Sequence, residues 1–170
     1  MRNELKQLYQ ETILDHGRQP RNFRVMENAD RQQEGFNPVC GDQLTLYVKL
    51  NADETIADLS FSGSGCAISM ASASLMTETL KGKSVQAATD LFNQFRHLVT
   101  HHDAHAGVDT NTNTDADNAE PDLSQLKQTK LRVLAGVSEF PARVKCATLA
   151  WHTLDHAINH HKTDAQVTTE

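Results

Sequence analysis

Hydrophobic and polar positions follow two different periods along the chain. Over residues 1–16, Leu5, Leu8, Tyr9, Thr12 and Ile13 recur at three- and four-residue intervals, with Glu4, Lys6, Gln7 and Glu11 opposite them. That spacing predicts an amphipathic helix, which Gly17 and Pro20 close. Residues 21–37 are polar and read as irregular, with a third strand placed near 31–38. From 43 to 50 the period drops to two. Leu44, Leu46, Val48 and Leu50 share one face and Thr45, Tyr47 and Lys49 the other, which predicts a half-buried strand. Asn51-Ala52-Asp53-Glu54 reads as a turn. Ile56 to Phe61 reads as a second strand with Ala57, Leu59 and Phe61 on one face, so the two strands form an antiparallel hairpin.

Ser62-Gly63-Ser64-Gly65 then reads as a loop, and the Ala-, Ser- and Met-rich run from Cys66 to Leu80 as a helix that ends at Lys81-Gly82-Lys83. Ser84 can cap a further helix, on which Val85, Ala88, Leu91, Phe92, Phe95 and Leu98 make one stripe. Residues 100–122 differ in kind. They are short-chained and polar, too poor in large apolar groups to offset their ordering entropy, and read as a surface insertion. The apolar pattern resumes at Leu123, Leu126, Leu131 and Leu134, and Glu139-Phe140-Pro141 leads into a last helix over 142–160 with Trp151 as a core anchor. Residues 162–170 read as a frayed tail. The expected organisation is one domain over 1–161 carrying the 100–122 insertion.

Composition narrows the classes of function. The chain has 170 residues, 16 of them basic and 22 acidic, for a formal charge of −6. That balance lacks the electrostatic footprint of a nucleic-acid binder. No apolar run approaches the roughly 18 residues of a membrane span. The first residues carry no apolar signal-peptide core, so a cytoplasmic protein with no membrane partner is expected.

Three cysteines carry the candidate chemistry. Cys40 lies in Asn37-Pro38-Val39-Cys40-Gly41-Asp42, where Pro38 stiffens the approach and Gly41 permits a sharp turn. Cys40 and Asp42 are two residues apart in that turn and can face one metal ion. Cys66 follows a glycine-rich loop and opens a helix, whose N-terminus favours thiolate. Cys146 lies early in the last helix beside Arg143 and Lys145, which also favour thiolate. Three thiols and a carboxylate make four ligands of the kind zinc takes, although their spacing matches no zinc-finger rule. Inert buried cysteines are the alternative for each residue taken alone.

Four segments, in order, carry a family resemblance. They are Leu14-Asp15-His16 with Pro20-Arg21-Asn22; Asn37-Pro38-Val39-Cys40-Gly41-Asp42; Phe61-Ser62-Gly63-Ser64-Gly65-Cys66-Ala67-Ile68-Ser69; and Arg143-Val144-Lys145-Cys146-Ala147-Thr148-Leu149-Ala150-Trp151. Together they span about residues 5–160 and resemble the SufU branch of the IscU-like iron–sulfur cluster assembly proteins. Lys145, where IscU proper has a histidine, and the insertion before the last helical region favour that branch.

The resemblance implies an α+β fold, a small antiparallel sheet of about three strands packed against several helices. It implies one Zn²⁺ held by Cys40, Asp42, Cys66 and Cys146. It further implies a zinc-dependent sulfurtransferase that accepts persulfide sulfur from a SufS-type, pyridoxal-phosphate cysteine desulfurase and passes it to downstream cluster-assembly proteins. Cys40 would be the sulfur acceptor, and Arg143 the arginine that helps open the site on docking. Such a protein is a partner of the desulfurase rather than a stand-alone enzyme. Two alternatives remain: a scaffold that carries a transient iron–sulfur cluster on the same cysteines, and a structural zinc module for protein interaction.

Other signals weigh less. His97, His101, His102 and His105 cluster at the insertion, and His152, His156 and His160 share one face of the last helix. Neither set supplies a closed ligand shell, and the helical stripe reads as a solvated face. The serines of 69–74 lack a nucleophile elbow and read as a tightly packed small-residue face.

Overall fold

A computed structural model describes residues 2–100, 123–159 and 167–169. In chain order the elements are α1 (Arg2–Arg18), β1 (Arg31–Asn37), β2 (Asp42–Leu50), β3 (Ile56–Ser64), α2 (Ala67–Leu80) and α3 (Val85–Thr100). There follow α4 (Ser124–Lys127), a 3-10 helix (Lys130–Glu139), α5 (Pro141–Asn159) and β4 (Val167–Thr168). Of the insertion read over 100–122, Thr100 ends α3 and the remainder lies outside the described residues, as do tail residues 162–166.

The fold class is α+β, as expected, but the sheet has four strands rather than three, in the order β3-β2-β1-β4. β1–β2 and β2–β3 are antiparallel, while β4 runs parallel to β1, so the sheet is mixed. β4 falls where the frayed tail was expected: Val167 pairs with Gly35 and Thr168 with Phe36. Its two residues are too short to show any period in the sequence.

The hairpin forms where the alternation places it. Asn51 closes its turn, donating its N–H to Thr55 O at 2.9 Å and accepting the Glu54 N–H at 3.1 Å, and Glu54 takes φ 62°. β3 runs on through Ser62 to Ser64, so three of the four residues of the expected loop are strand. Ala57, expected on the buried face, is exposed; a register shift between Lys49 and Leu50 puts Ile56 inside instead.

β1 is polar in sequence yet buries Gln33, Gly35 and Asn37. The reason is its neighbour. α5 crosses β1 so closely that a Cβ on Gly35 would collide with the Thr153 hydroxyl. Around this contact the core assembles Leu44, Leu46 and Val48 from β2, Leu59 and Phe61 from β3, and the apolar faces of α2, α3 and α5. Trp151 sits at its centre, 1% exposed, stacked on Phe95 at 4.7 Å and Phe92 at 6.1 Å. Its indole N–H donates to Ser72 Oγ at 3.2 Å, which gives the buried polar edge a partner. The serine-rich face of α2 is thus packed, as its composition predicts.

The histidine stripe departs from its expected solvated role. His152 packs edge-on against Phe92 at 5.1 Å, and His156 Nδ1 lies 3.2 Å from Gln33 Oε1. His97 lies in the last turn of α3, whereas His101, His102, His105 and His160 lie outside the described residues.

Burial lowers the pKa of both His16 and His152 below 6.5. The unfolded chain therefore holds more protons than the folded chain just below that value, and folding stability falls as the pH drops through this window. The thermal midpoint is expected to decrease from about pH 7 to about pH 5.5, ahead of most carboxylate titration. His16→Gln should flatten that acid limb, measured as midpoint against pH for the two proteins.

Candidate metal centre

Three segments meet at one end of the sheet: the β1–β2 turn, the start of α2 and the first turns of α5. The turn is built locally. Asn37 pairs with Asp42 across β1 and β2, Gly41 N–H donates to Asn37 O at 2.9 Å, and Gly41 adopts φ 72°, a left-handed conformation that favours glycine. Cys40 is thereby lifted to the surface while Asp42 turns inward.

Asp42 is completely buried. Its Oδ2 accepts from Asn37 Nδ2 at 3.0 Å and its Oδ1 accepts the Cys66 backbone N–H at 2.8 Å. No lysine or arginine pairs with it among the described residues. Gly65 makes room for this arrangement, since a Cβ there would stand 2.8 Å from Asp42 Oδ1 and 3.0 Å from Ser69 Oγ. The two glycines before Cys66 thus have a steric task beyond access to the thiol.

Cys146 is buried on α5, its Sγ 3.0 Å from the Sγ of exposed Cys40, a separation well beyond the roughly 2.05 Å of a disulfide. Asn37 Nδ2 also reaches Cys146 Sγ at 3.4 Å. Burial, then hydrogen bonds with Cys40, Asp42 and Cys66, push the Cys146 thiol far above its usual range. Sequence reasoning expected Arg143 and Lys145 to favour thiolate here. Desolvation wins instead, because the thiol points inward while Arg143 stays at the surface.

Cys66 caps α2 as expected, its Sγ accepting the Ser69 N–H at 3.4 Å. It stands at the edge of the group rather than inside it. Cys40, Asp42 and Cys146 have ligand atoms all within 4.8 Å of one another; Cys66 is not in that set, though its thiol hydrogen-bonds Cys146. Arg143 lines the same groove as Cys66, and the nearby cysteines, Cys66 foremost, raise its guanidinium pKa further.

A buried, unpaired carboxylate next to a buried thiol is unfavourable unless a cation joins them. Two sulfurs and one oxygen at this separation fit zinc, which takes thiolate and carboxylate ligands and leaves Cys66 within reach as a fourth donor. Beside Cys66 and Arg143 opens a groove of about 740 Å³, walled by Tyr9, Ile13, Ile68, Val137 and Phe140.

Asn37 is the residue that sequence reasoning passed over. It is completely buried, touches two donors through one amide nitrogen, and accepts the Val39 N–H through Oδ1 at 3.3 Å. Its place beside Pro38 and Cys40 was the only signal in the sequence. Asn37→Ala should weaken zinc binding by about tenfold or more, as removal of an outer-shell partner typically does. Competition against a chromophoric chelator measures this, and an unchanged affinity would refute it.

The chain is similar to known proteins over most of its length. The family model "NifU-like N terminal domain" matches residues 8–106. The "Zinc-dependent sulfurtransferase SufU" of Bacillus subtilis is 38% identical over 154 residues, 91% of this chain and 91% of that protein. The "Iron-sulfur cluster assembly scaffold protein IscU" of Streptococcus pyogenes is 35% identical over 97% of this chain and 94% of its own length. A crystal structure of the putative SUF-system scaffold protein from Fervidobacterium islandicum superposes with a TM-score of 0.71 at 32% identity, covering 87% of this chain and 94% of that one. With its cysteines and aspartate gathered on the same fold, the chain belongs to the NifU-like N-terminal domain family of iron–sulfur cluster assembly proteins, alongside SufU and IscU.

Proposed function

We propose that this protein is a zinc-dependent sulfurtransferase of iron–sulfur cluster biogenesis, taking sulfur from a SufS-type cysteine desulfurase in the cytoplasm. The observation that carries the reading is an asymmetry within one donor set: Cys40 is exposed, whereas Asp42 and Cys146 are buried. A structural zinc site has no need to leave one thiol at the surface. The identity to a SufU over nine-tenths of both chains supports the same choice. Free cysteines suit a reducing compartment.

Zinc, when bound by Cys40, Asp42, Cys66 and Cys146, keeps the thiols deprotonated at neutral pH. The rest of the chemistry belongs to the chain. The Cys40 thiolate attacks the outer sulfur of the desulfurase cysteine persulfide. The sulfur–sulfur bond of that persulfide breaks, the desulfurase cysteine leaves as a thiolate, and Cys40 becomes the persulfide. One sulfur atom moves and no outside oxidant or reductant is consumed. Asn37 and the Cys66 N–H hold Asp42 in place throughout, and the Arg143 cation beside Cys66 places positive charge where the anionic persulfide arrives. The groove beside Cys66 receives the apolar part of the partner surface, with exposed Phe140 and Val39 flanking the approach.

Scaffolding is the second reading, favoured by the 35% identity to an IscU named as a scaffold protein. In that case the cluster is cargo, held by the same three cysteines.

The decisive experiment adds the zinc-loaded protein to a SufS-type desulfurase in equal amount and follows cysteine turnover. Strong stimulation is expected, and Cys40→Ala is expected to abolish it together with persulfide on this chain. No stimulation of an active desulfurase would overturn sulfur acceptance in favour of the scaffold. Asp42→Ala is expected to weaken zinc retention, read by the rate of zinc loss to a chelator; retention equal to the parent protein would remove Asp42 from the ligand set.

A further inference from the structure

A second cleft, of about 330 Å³, opens between α1 and the 3-10 helix. Tyr9 and Val133 wall both this cleft and the groove beside Cys66, so the two are neighbours divided by those side chains. Four cations line the cleft, Arg21, Lys127, Lys130 and Arg132, against one acid, Asp15. Arg21 pairs with Asp15 at 2.7 Å and Lys130 with Glu78 at 3.3 Å. Lys127 and Arg132 have no acidic partner among the described residues. On a chain of net charge −6, an excess of positive charge in a concave site runs against the composition.

The wall of the cleft adds a largely buried imidazole. His16 is 2% exposed, and its Nδ1 lies 2.7 Å from Ser74 Oγ. The same oxygen accepts the Arg21 N–H at 2.8 Å. Nδ1 is the only acceptor for the Ser74 hydroxyl hydrogen among the described residues, so the hydroxyl donates to it. That assigns the neutral imidazole its hydrogen at Nε2. Nε2 has no partner among the described residues, and His16 lines the cleft.

We propose that this cleft is a binding site for a small phosphate-bearing molecule, with the His16 Nε2–H, Lys127 and Arg132 as its principal donors. The cleft thus combines an imidazole in its wall with exposed cations. That suits the three terminal oxygens of a tetrahedral phosphate, and the guanidinium fork matches two of them at once. The volume admits a ligand larger than the bare ion. Lying beyond the Tyr9–Val133 wall, the site is separate from the metal centre and stands whether or not the chain transfers sulfur.

Inorganic phosphate is the probe. It is titrated into the zinc-loaded full chain at constant ionic strength, with chloride as the control, while heteronuclear NMR follows the His16 ring nitrogens and the backbone amides. The expected result is a saturable shift at His16 Nε2, Thr129 and Arg132, from a free protein whose His16 already carries hydrogen on Nε2. The double variant Lys127→Gln with Arg132→Gln, both exposed side chains, should lower the affinity by at least about tenfold without changing the thermal midpoint. The proposal fails if no saturable shift occurs, if chloride produces the same shifts, if the double variant binds phosphate as well as the parent, or if the free protein carries hydrogen on Nδ1.

Discussion

The buried Asp42 carboxylate is the constraint on which the metal centre depends. Among the described residues it has no lysine or arginine partner, and it is tied instead to Asn37 in β1 and to the backbone of Cys66 at the entry to α2. Two short hydrogen bonds thereby brace the β1–β2 turn and tie it to the start of α2. Because the carboxylate is desolvated, its stability rests on those donors and on whatever cation the site holds. Gly65 and Gly41 follow from the same constraint. The first leaves space for the carboxylate, and the second lets the turn reverse so that Cys40 faces outward while Asp42 faces in.

The rest of the fold brings Cys146 to that point. α5 must cross β1 at close range for its early turns to reach the β1–β2 loop, and Gly35 permits the approach against Leu149 and Thr153. Trp151 anchors the helix one turn or so beyond Cys146, through its stacks on Phe92 and Phe95 and its bond to Ser72. Aromatic stacking of this kind contributes about 0.5–1.5 kcal/mol beyond area burial. A rigid helix holds its thiol still, while the thiol on the turn is free to meet a partner. The division between fixed and accessible ligands is thus a division between helix and loop.

Much of this was legible in the residues, and the gaps have physical causes. The hairpin and the amphipathic helices announce themselves through their periods. β1 does so only faintly, because its buried positions are Gln33, Gly35 and Asn37, chosen for contact with α5 and Asp42 rather than for apolarity. β4 has two residues and no period at all. The helical histidines look like a solvated stripe in sequence, yet His152 meets Phe92 and His156 meets Gln33, contacts that exist only once α5 is seated between α3 and β1.

By itself the sequence determined the elements with strong periodicity, because those depend on local spacing, and it offered the α+β class and the four candidate ligands Cys40, Asp42, Cys66 and Cys146 through residue chemistry and family resemblance. Only the tertiary structure decided how the ligands differ from one another. Burial is a property of the assembled core, so it alone could show that Cys146 and Asp42 are hidden, that Cys40 is exposed, and that Cys66 waits at the edge beside Arg143. The role of Asn37 was decided there too, since a single amide can bridge Asp42 and Cys146 only after β2 and α5, more than a hundred residues apart at that contact, have been packed against β1.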